Sequence, residues 1–177
     1  MTKSRRDVGC WIVKCNPGVR DCFGSLGDGA GAPARMVSGR WSLSARSART
    51  ALIESGDLVA LWITGPHDPG IYEFGRVTSD GALDWPEGFD AEHAVDREKA
   101  ASPCSGVEFD AVRLDRGSQL PRAVMGATPV LQRCEQFRAP RMSNPSFLTP
   151  DETAVLTGLL ADRVPAGLMS RVGWNPG

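Results

Sequence analysis

The sequence predicts an α+β domain built on a small, mostly antiparallel and barrel-like sheet with flanking helices. Several short apolar segments are bounded by turn residues, which is typical of strands. One early and one late segment show helical spacing, and 177 residues suit one domain. We therefore expect a single domain over residues 1–177 with a core of about residues 8–163.

The first element is a predicted strand over residues 8–15 (VGCWIVKC), which is rich in β-branched and aromatic residues. It ends at the turn sequence Asn16-Pro17-Gly18. Residues 24–33 are glycine-rich but match neither pattern of a phosphate-binding loop. We expect a loop there.

A short helix is predicted over residues 44–54 (SARSARTALIE). It begins with a serine, places Ala48, Ala51 and Leu52 at helical spacing, and ends before a Ser-Gly-Asp turn.

The central segments predict further strands. Residues 58–64 (LVALWIT) form a continuous apolar run, and residues 71–78 (IYEFGRVT) alternate, so together they predict a hairpin. Residues 84–105 have weak periodicity and are expected to be mostly loop. Residues 106–114 predict a strand, and a further short strand is expected near residues 130–138.

The late helix is predicted over residues 149–163. Thr149 is the expected N-cap, Pro150 stands at the first position and Glu152 at the third, which is a capping box. Apolar residues then recur at helical spacing.

The net charge of −1 argues against a protein that coats nucleic acid by phosphate neutralisation alone. Charge is nevertheless clustered. Residues 34–53 contain four arginines and no acid, whereas residues 84–99 contain six acids and two bases. We therefore expect one locally basic face.

Cysteine and histidine patterns indicate no metal site and no cofactor, because no C-x-x-C pair occurs and neither histidine has a ligand partner nearby in sequence. The odd number of cysteines predicts reduced thiols at Cys10, Cys15, Cys22, Cys104 and Cys134. No apolar run suits a membrane span or a signal peptide, so we expect a cytoplasmic protein without a membrane partner.

Five tryptophans are many for a chain with one tyrosine. Trp11 and Trp62 lie inside predicted strands, which favours the core. Trp41 lies where a loop meets the predicted early helix, between Arg40 and Ser42, and its position alone fits the core and a pocket equally well.

Four segments in order resemble EVE domains, which belong to the PUA-like superfamily and are related to YTH domains. They are WIVKCNP, RWSLSARSARTALIESGDLVALWITG, GIYEFGRV and SNPSFLTPDETAVL, and they span roughly residues 11–156. Each motif is weak by itself, and the signal lies in their order and spacing. The resemblance implies a PUA-like barrel that holds one flipped, modified nucleic-acid base in an aromatic pocket.

The resemblance also implies roles for particular residues. In YTH readers of methylated adenine, an asparagine after the first strand and a Trp-Ser pair contact the base, and Asn16, Trp41 and Ser42 match them. Trp85 is the candidate for the second aromatic of the cage, and Trp62 is included as a further candidate. The EVE pattern usually reads Lys-Ser-Glu-Pro where this chain has Lys-Cys-Asn-Pro, which leaves the base preference open.

Phosphate contacts would come from basic residues near these motifs, since they fix register without reading sequence. The candidates are Lys14, Arg40, Arg46 and Arg49. The expected partner is DNA or RNA with a modified base. Whether a separate effector protein completes the function stays open.

Catalysis is not expected. The zinc deaminase signature is absent, and so are E-x-K, G-x-S-x-G and H-E-x-x-H. The alternative is a protein-interaction module or a module that binds methylated ammonium groups by cation–π attraction. Ammonium cages usually have acids at the rim, whereas the surroundings of Trp41 are basic, which favours an anionic ligand.

Overall fold

Eight strands form one sheet in the computed structural model, which describes residues 4–26, 31–44, 47–141 and 144–175. The strands are β1 (Cys10–Cys15), β2 (Arg35–Leu43), β3 (Leu58–Ile63), β4 (Gly70–Val77), β5 (Leu83–Trp85), β6 (Cys104–Arg113), β7 (Leu120–Pro121) and β8 (Ser146–Leu148). The helices are α1 (Cys22–Leu26), α2 (Arg97–Ala100), α3 (Arg122–Ala127), α4 (Glu135–Arg138), α5 (Pro150–Ala161) and α6 (Ala166–Arg171).

The sheet has the strand order β2-β6-β4-β3-β1-β8, with β5 added to β6 and β7 to β4. Only the β1–β3 pair is parallel among the described strands, and the other pairs are antiparallel. The α+β class and the mostly antiparallel sheet are therefore confirmed. Within the described residues the strand pairing is open, and no strand-to-strand ladder joins β2 to β8.

Alternate residues of the strands enter two separate apolar clusters, as the period of two in a strand requires. Trp11 and Val13 belong to one cluster together with Trp41, whereas Ile12 belongs to the other. The second cluster is covered by α5 through Leu156, and it also contains residues that follow α6. The first cluster underlies the candidate site.

A close approach between β4 and β6 explains one glycine. A Cβ atom at Gly75 would overlap the backbone of Asp110 and Ala111 on β6. The carbonyl of Gly75 also accepts a hydrogen bond of 2.7 Å from Trp174 Nε1. The C-terminal segment is thereby tied to the middle of the sheet.

The late helix is confirmed as α5. Thr149 Oγ1 accepts from the Glu152 N–H, and Glu152 Oε2 accepts from the Thr149 N–H at 2.8 Å, so both halves of the capping box are present.

The predicted early helix is wrong. Strand β2 continues through Trp41 to Leu43, and the described part of residues 44–54 contains only a 3-10 turn at Thr50–Leu52. Thr50 Oγ1 donates to the Ser47 carbonyl at 2.8 Å, and such local side-chain bonds compete with a continuing helix.

The strand expected near residues 130–138 is also wrong, because that segment forms a 3-10 turn at Leu131–Arg133 and then α4. Leu131 and Cys134 are both fully buried, and their spacing of three suits a turn and helix rather than a strand. No helix among the described residues is long and apolar enough to cross a membrane.

Candidate functional site

A cavity of about 180 Å³ opens where β1 and β2 end. Its wall includes Lys14 and Asn16 from the end of β1 and Trp41 and Ser42 from β2. The rest of the wall comes from residues 89–102 and the start of β6, and includes Phe89, Lys99, Ser102 and Cys104. This volume is below the roughly 300–1,000 Å³ of sites for drug-sized ligands, so it suits one small ring system.

The turn after β1 brings the segment that bears Arg20 back to the cavity. Asn16 Oδ1 accepts from the Gly18 N–H at 2.9 Å, and the Asn16 carbonyl accepts from the N–H groups of Val19 and Arg20. Asparagine favours such turns because its side chain mimics a backbone carbonyl. Arg20 is thereby placed in the cavity wall.

A disulfide joins Cys15 at the end of β1 to Cys22 at the start of α1, so the expectation of five reduced thiols is wrong. The same turn that returns the chain at Arg20 brings the two cysteines together, which spacing alone does not reveal. Cys10, Cys104 and Cys134 are free, and burial raises the pKa of each thiol.

Trp41 and Phe89 form an aromatic corner beside the cavity. Their ring centroids are 6.5 Å apart and their planes meet at 63°. Trp41 is only 5% exposed and belongs to the core, yet it also lines the cavity. Its Nε1–H finds no hydrogen-bond partner among the described residues.

Trp85 supports this corner from behind. Its ring stacks on Phe89 at 4.8 Å with an angle of 15°, and it covers Gly106, where a Cβ atom would overlap the indole. The exposed Arg40 guanidinium lies 5.8 Å from the Trp85 ring.

The Arg20 guanidinium lies inside the aromatic corner, 4.7 Å from the Trp41 ring centroid and 4.2 Å from that of Phe89. It forms an ion pair with Asp90, which also contacts His93 Nδ1 at 2.9 Å. Burial lowers the pKa of Arg20 to about 10, and the charge of Glu73 opposes this decrease.

Two lysines give the mouth a positive charge. Lys14 is half-buried, and burial lowers the pKa of its ammonium group, with Glu135 opposing and Arg49 adding to the decrease. Lys99 is exposed and pairs with Asp96 at 3.1 Å. The lining residues that the structure describes include no Asp or Glu.

The side chain of Asn144 connects the ends of β1 and β2. Its Oδ1 accepts from the Lys14 N–H at 3.1 Å, and its Nδ2 donates to the Ser42 carbonyl at 2.8 Å. The Asn144 carbonyl accepts from the Ser44 N–H at 2.8 Å. One residue thus bridges the two strands that bear the candidate site.

Comparisons with known proteins are informative only at the level of structure. No family model matches the chain, and no curated protein is significantly similar in sequence. A hypothetical protein from Leishmania major has a TM-score of 0.56 at 17% identity, over 90% of this chain and 98% of its own. The DUF55 domain of human thymocyte nuclear protein 1 has a TM-score of 0.54 at 20% identity, over 85% of this chain and 97% of its own.

The chain shares the fold of these two structures. The human THYN1 protein in complex with DNA containing 5-methylcytosine matches with a TM-score of 0.49 at 20% identity, over 85% of this chain and 96% of its own. At this identity the similarities establish the fold and not the ligand.

This fold brings several predicted site residues together. Lys14, Asn16, Trp41 and Ser42 all line the cavity. Ser42 has its carbonyl engaged by Asn144, however, and Asn16 Oδ1 is engaged in the turn. Asn16 Oδ1 and the Ser42 carbonyl are therefore already bonded within the protein.

Other predicted residues lie elsewhere in the structure. Trp62 is 2% exposed in the second apolar cluster, where it contacts Phe137. Arg49 forms a two-pronged ion pair with Glu135, with bonds of 2.6 and 2.7 Å. Neither lines the cavity. Arg46 lies outside the described residues.

The sequence reasoning missed Phe89 and Arg20. Phe89 stands in a segment that was expected to be mostly loop. Its aromatic character is the one sequence signal that could have pointed to it. Arg20 follows the turn after the first strand, and its distance from Trp41 along the chain hid their contact.

Proposed function

We propose that this protein is a binding module that takes one base of a nucleic acid, rotated out of its stack, into the cavity beside Trp41. The observation that most supports this proposal is the aromatic corner of Trp41 and Phe89 beside a cavity of about 180 Å³, with Lys14 and Lys99 at its mouth. Aromatic faces suit a base, and ammonium groups suit the phosphates that flank it.

The energies support this proposal. Extruding a base costs a few kcal/mol, and stacking on an aromatic side chain returns ~1 to 3 kcal/mol per base. Charge contacts at the mouth add a contribution that does not depend on sequence. Trp41 has a rigid position in β2, opposite Val107 of β6, so little conformational entropy is lost when it stacks.

The indole and ammonium groups of the wall favour acceptor atoms on the ligand. The indole N–H of Trp41 and the ammonium groups of Lys14 and Lys99 are donors only. Apolar side chains of Val19 and Ala100 also line the cavity, and they suit a methyl group on a modified base. Such apolar contacts discriminate by ~1 to 3 kcal/mol, so we expect moderate selectivity.

We also propose that the bound base undergoes no reaction. Cys15 is bound in a disulfide, and burial raises the pKa of the Cys104 thiol, which keeps it protonated and weakly nucleophilic. Among the described residues, no three His, Cys, Asp or Glu side chains form a group that could hold a metal ion.

A cage for methylated ammonium groups is the alternative ligand class. It is disfavoured because the Arg20 guanidinium already occupies the aromatic corner, and Lys14 and Lys99 in the cavity wall repel a second cation.

The proposal is tested with two matched variants, Trp41→Phe and Trp62→Phe. Both replace a tryptophan that is at most 5% exposed, but only Trp41 lines the cavity. Titration covers a panel of modified and unmodified DNA and RNA oligonucleotides, single and double stranded. We expect Trp41→Phe to weaken binding of the preferred oligonucleotide about fivefold, or ~1 kcal/mol of stacking.

Trp62→Phe should lower the melting temperature comparably and leave the dissociation constant unchanged. Equal affinity of the two variants and the wild type for every oligonucleotide would contradict the assignment of the pocket.

A further inference from the structure

The planar guanidinium of Arg20 covers the aromatic surface that a base would use. It lies over Trp41 at 4.7 Å and over Phe89 at 4.2 Å, and its side chain is 12% exposed. A guanidinium is flat and stacks on aromatic faces in the same manner as a base. The corner is therefore filled in this structure, while the cavity of about 180 Å³ remains open next to it.

The filled corner leaves hydrogen-bond donors unsatisfied. Nε and Nη1 of Arg20 and Nε1 of Trp41 are all buried and find no partner among the described residues. Buried donors without partners are rare in proteins and cost free energy. Because these atoms are closed off from solvent, a ligand cannot reach them while the Arg20 side chain stays in place.

Asp90 holds the guanidinium in the corner. It pairs with Arg20 and adopts a left-handed backbone conformation with φ of 55° at the start of the 3-10 turn Ala91–His93. The backbone around it is docked to the segment that bears Arg20, since the Asp21 N–H donates to the His93 carbonyl at 2.8 Å. The closed arrangement therefore depends on one ion pair and two ring contacts.

We propose that Arg20 is the gate of the pocket, and that a planar ring enters the corner only when the Arg20 side chain leaves it. This proposal rests on the proposed function. Departure of the guanidinium exposes the Trp41 face and frees its indole N–H for an acceptor on the ligand. It also moves the guanidinium to the mouth of the cavity, where it can bind a phosphate.

The motion is confined to a side chain. The disulfide between Cys15 and Cys22 anchors both ends of the turn that carries Arg20, and the Asn16 carbonyl caps the backbone of Arg20 at 3.0 Å. The turn thus stays at the mouth when the gate opens.

A gate lowers the apparent affinity by the fraction of molecules that are open. If the closed form holds about nine molecules in ten, removing the gate strengthens binding about tenfold. The gate therefore predicts that loss of a cavity-lining arginine increases affinity, whereas a direct ligand contact predicts a decrease.

The test uses uncharged nucleosides, with and without methylation on the base, so that phosphate contacts do not contribute. Arg20→Ala is compared with Arg171→Ala, which removes the same charge from an exposed position at the end of α6 that does not line the cavity. We expect Arg20→Ala to bind the best nucleoside about tenfold more tightly than the wild type. Arg171→Ala should bind like the wild type. Equal or weaker binding by Arg20→Ala overturns the gate.

Asp90→Asn provides a second variant that keeps Arg20 and loosens only its ion pair. It should increase nucleoside affinity by a smaller factor than Arg20→Ala does. If both variants bind nucleosides with wild-type affinity, the gate is overturned. Thermal melting confirms that each variant is folded.

Occupancy of the corner is measured separately with the guanidinium ion at millimolar concentration. The indole N–H resonance of Trp41 should move in Arg20→Ala and return toward its wild-type position when guanidinium is added. No such response overturns the gate whatever the nucleosides do. A response without nucleoside binding by any variant supports occupancy of the corner and counts against the base-binding function instead.

Discussion

Trp41 serves the core and the cavity at the same time. It is 5% exposed, packs in the cluster that contains Trp11 and Val13, and presents one part of its ring to the cavity wall. A side chain fixed by the core is a rigid stacking surface, which is favourable for binding. The same burial means that truncation to alanine would cost ~3 to 5 kcal/mol of stability, so Trp41→Phe is the better probe.

At the residue scale, the lysines at the mouth have a measurable role. Lys99 is exposed and its pair with Asp96 is a surface ion pair, which contributes little to stability. Lys99→Ala should therefore leave the melting temperature unchanged but reduce the slope of log Kobs against log salt concentration by about one.

Arg171→Ala is the matched control, because Arg171 is exposed at the end of α6 and does not line the cavity. It should change neither quantity. If the two variants give the same salt slope, Lys99 does not contact a phosphate at the mouth of the cavity.

Sequence reasoning found the site residues that adjoin a motif and missed those that tertiary contacts supply. Asn16 and Trp41 were predicted because they match the base-contacting asparagine and tryptophan of YTH domains. Phe89 and Arg20 reach the same cavity from distant segments, and no local pattern encodes that contact. Arg49 was named from its charge, but its partner Glu135 lies 86 positions away in the chain.

At the element scale, the site depends on how β1 and β2 end. These two strands are not paired with each other in the sheet, and Asn144 holds their ends together through side-chain bonds to Lys14 and Ser42. A single residue from the segment before β8 therefore bridges the two strand ends that line the cavity.

Asn144→Ala should lower the free energy of unfolding by about 1 to 3 kcal/mol, because it leaves half-buried backbone groups of both strands without partners. It should also weaken oligonucleotide binding, since Lys14 and Trp41 would separate. Chemical denaturation and titration measure the two effects.

Ser38→Ala is the control for this change. Ser38 is exposed three residues before Trp41 and does not line the cavity, and its Oγ donates to Asp110 Oδ1 at 2.6 Å across the β2–β6 pair. Its loss should cost less than about 0.5 kcal/mol. An Asn144→Ala protein as stable as Ser38→Ala would show that the bridge does not hold the strands.

The elements that could be predicted are those with strong local signals. The β3 segment is a continuous apolar run, β4 follows it after a turn, and α5 has a capping box and helical spacing. Strand β2 was missed because its exposed residues Ser38 and Arg40 interrupt the apolar pattern and its ladder to β6 is long-range. Tertiary pairing decided that element, as it often does for strands.

At the scale of the whole molecule, one sheet separates two apolar clusters, and the candidate site opens at the edge of one of them. The fold class could be predicted from the sequence because a wrong prediction for one element does not change the overall mixture of strands and helices. The ligand did not follow, because the donors and aromatic faces that would bind it come from segments joined only in three dimensions.

The central claim is that the cavity holds a base, and an abasic site tests it most directly. Binding is measured for the preferred oligonucleotide and for the same strand with that one base removed and the backbone intact. We expect affinity to fall by ~1 to 3 kcal/mol, with the salt slope unchanged because the phosphates remain. Only the intact strand should move the Trp41 indole resonance. Equal affinity for the abasic strand would contradict the account.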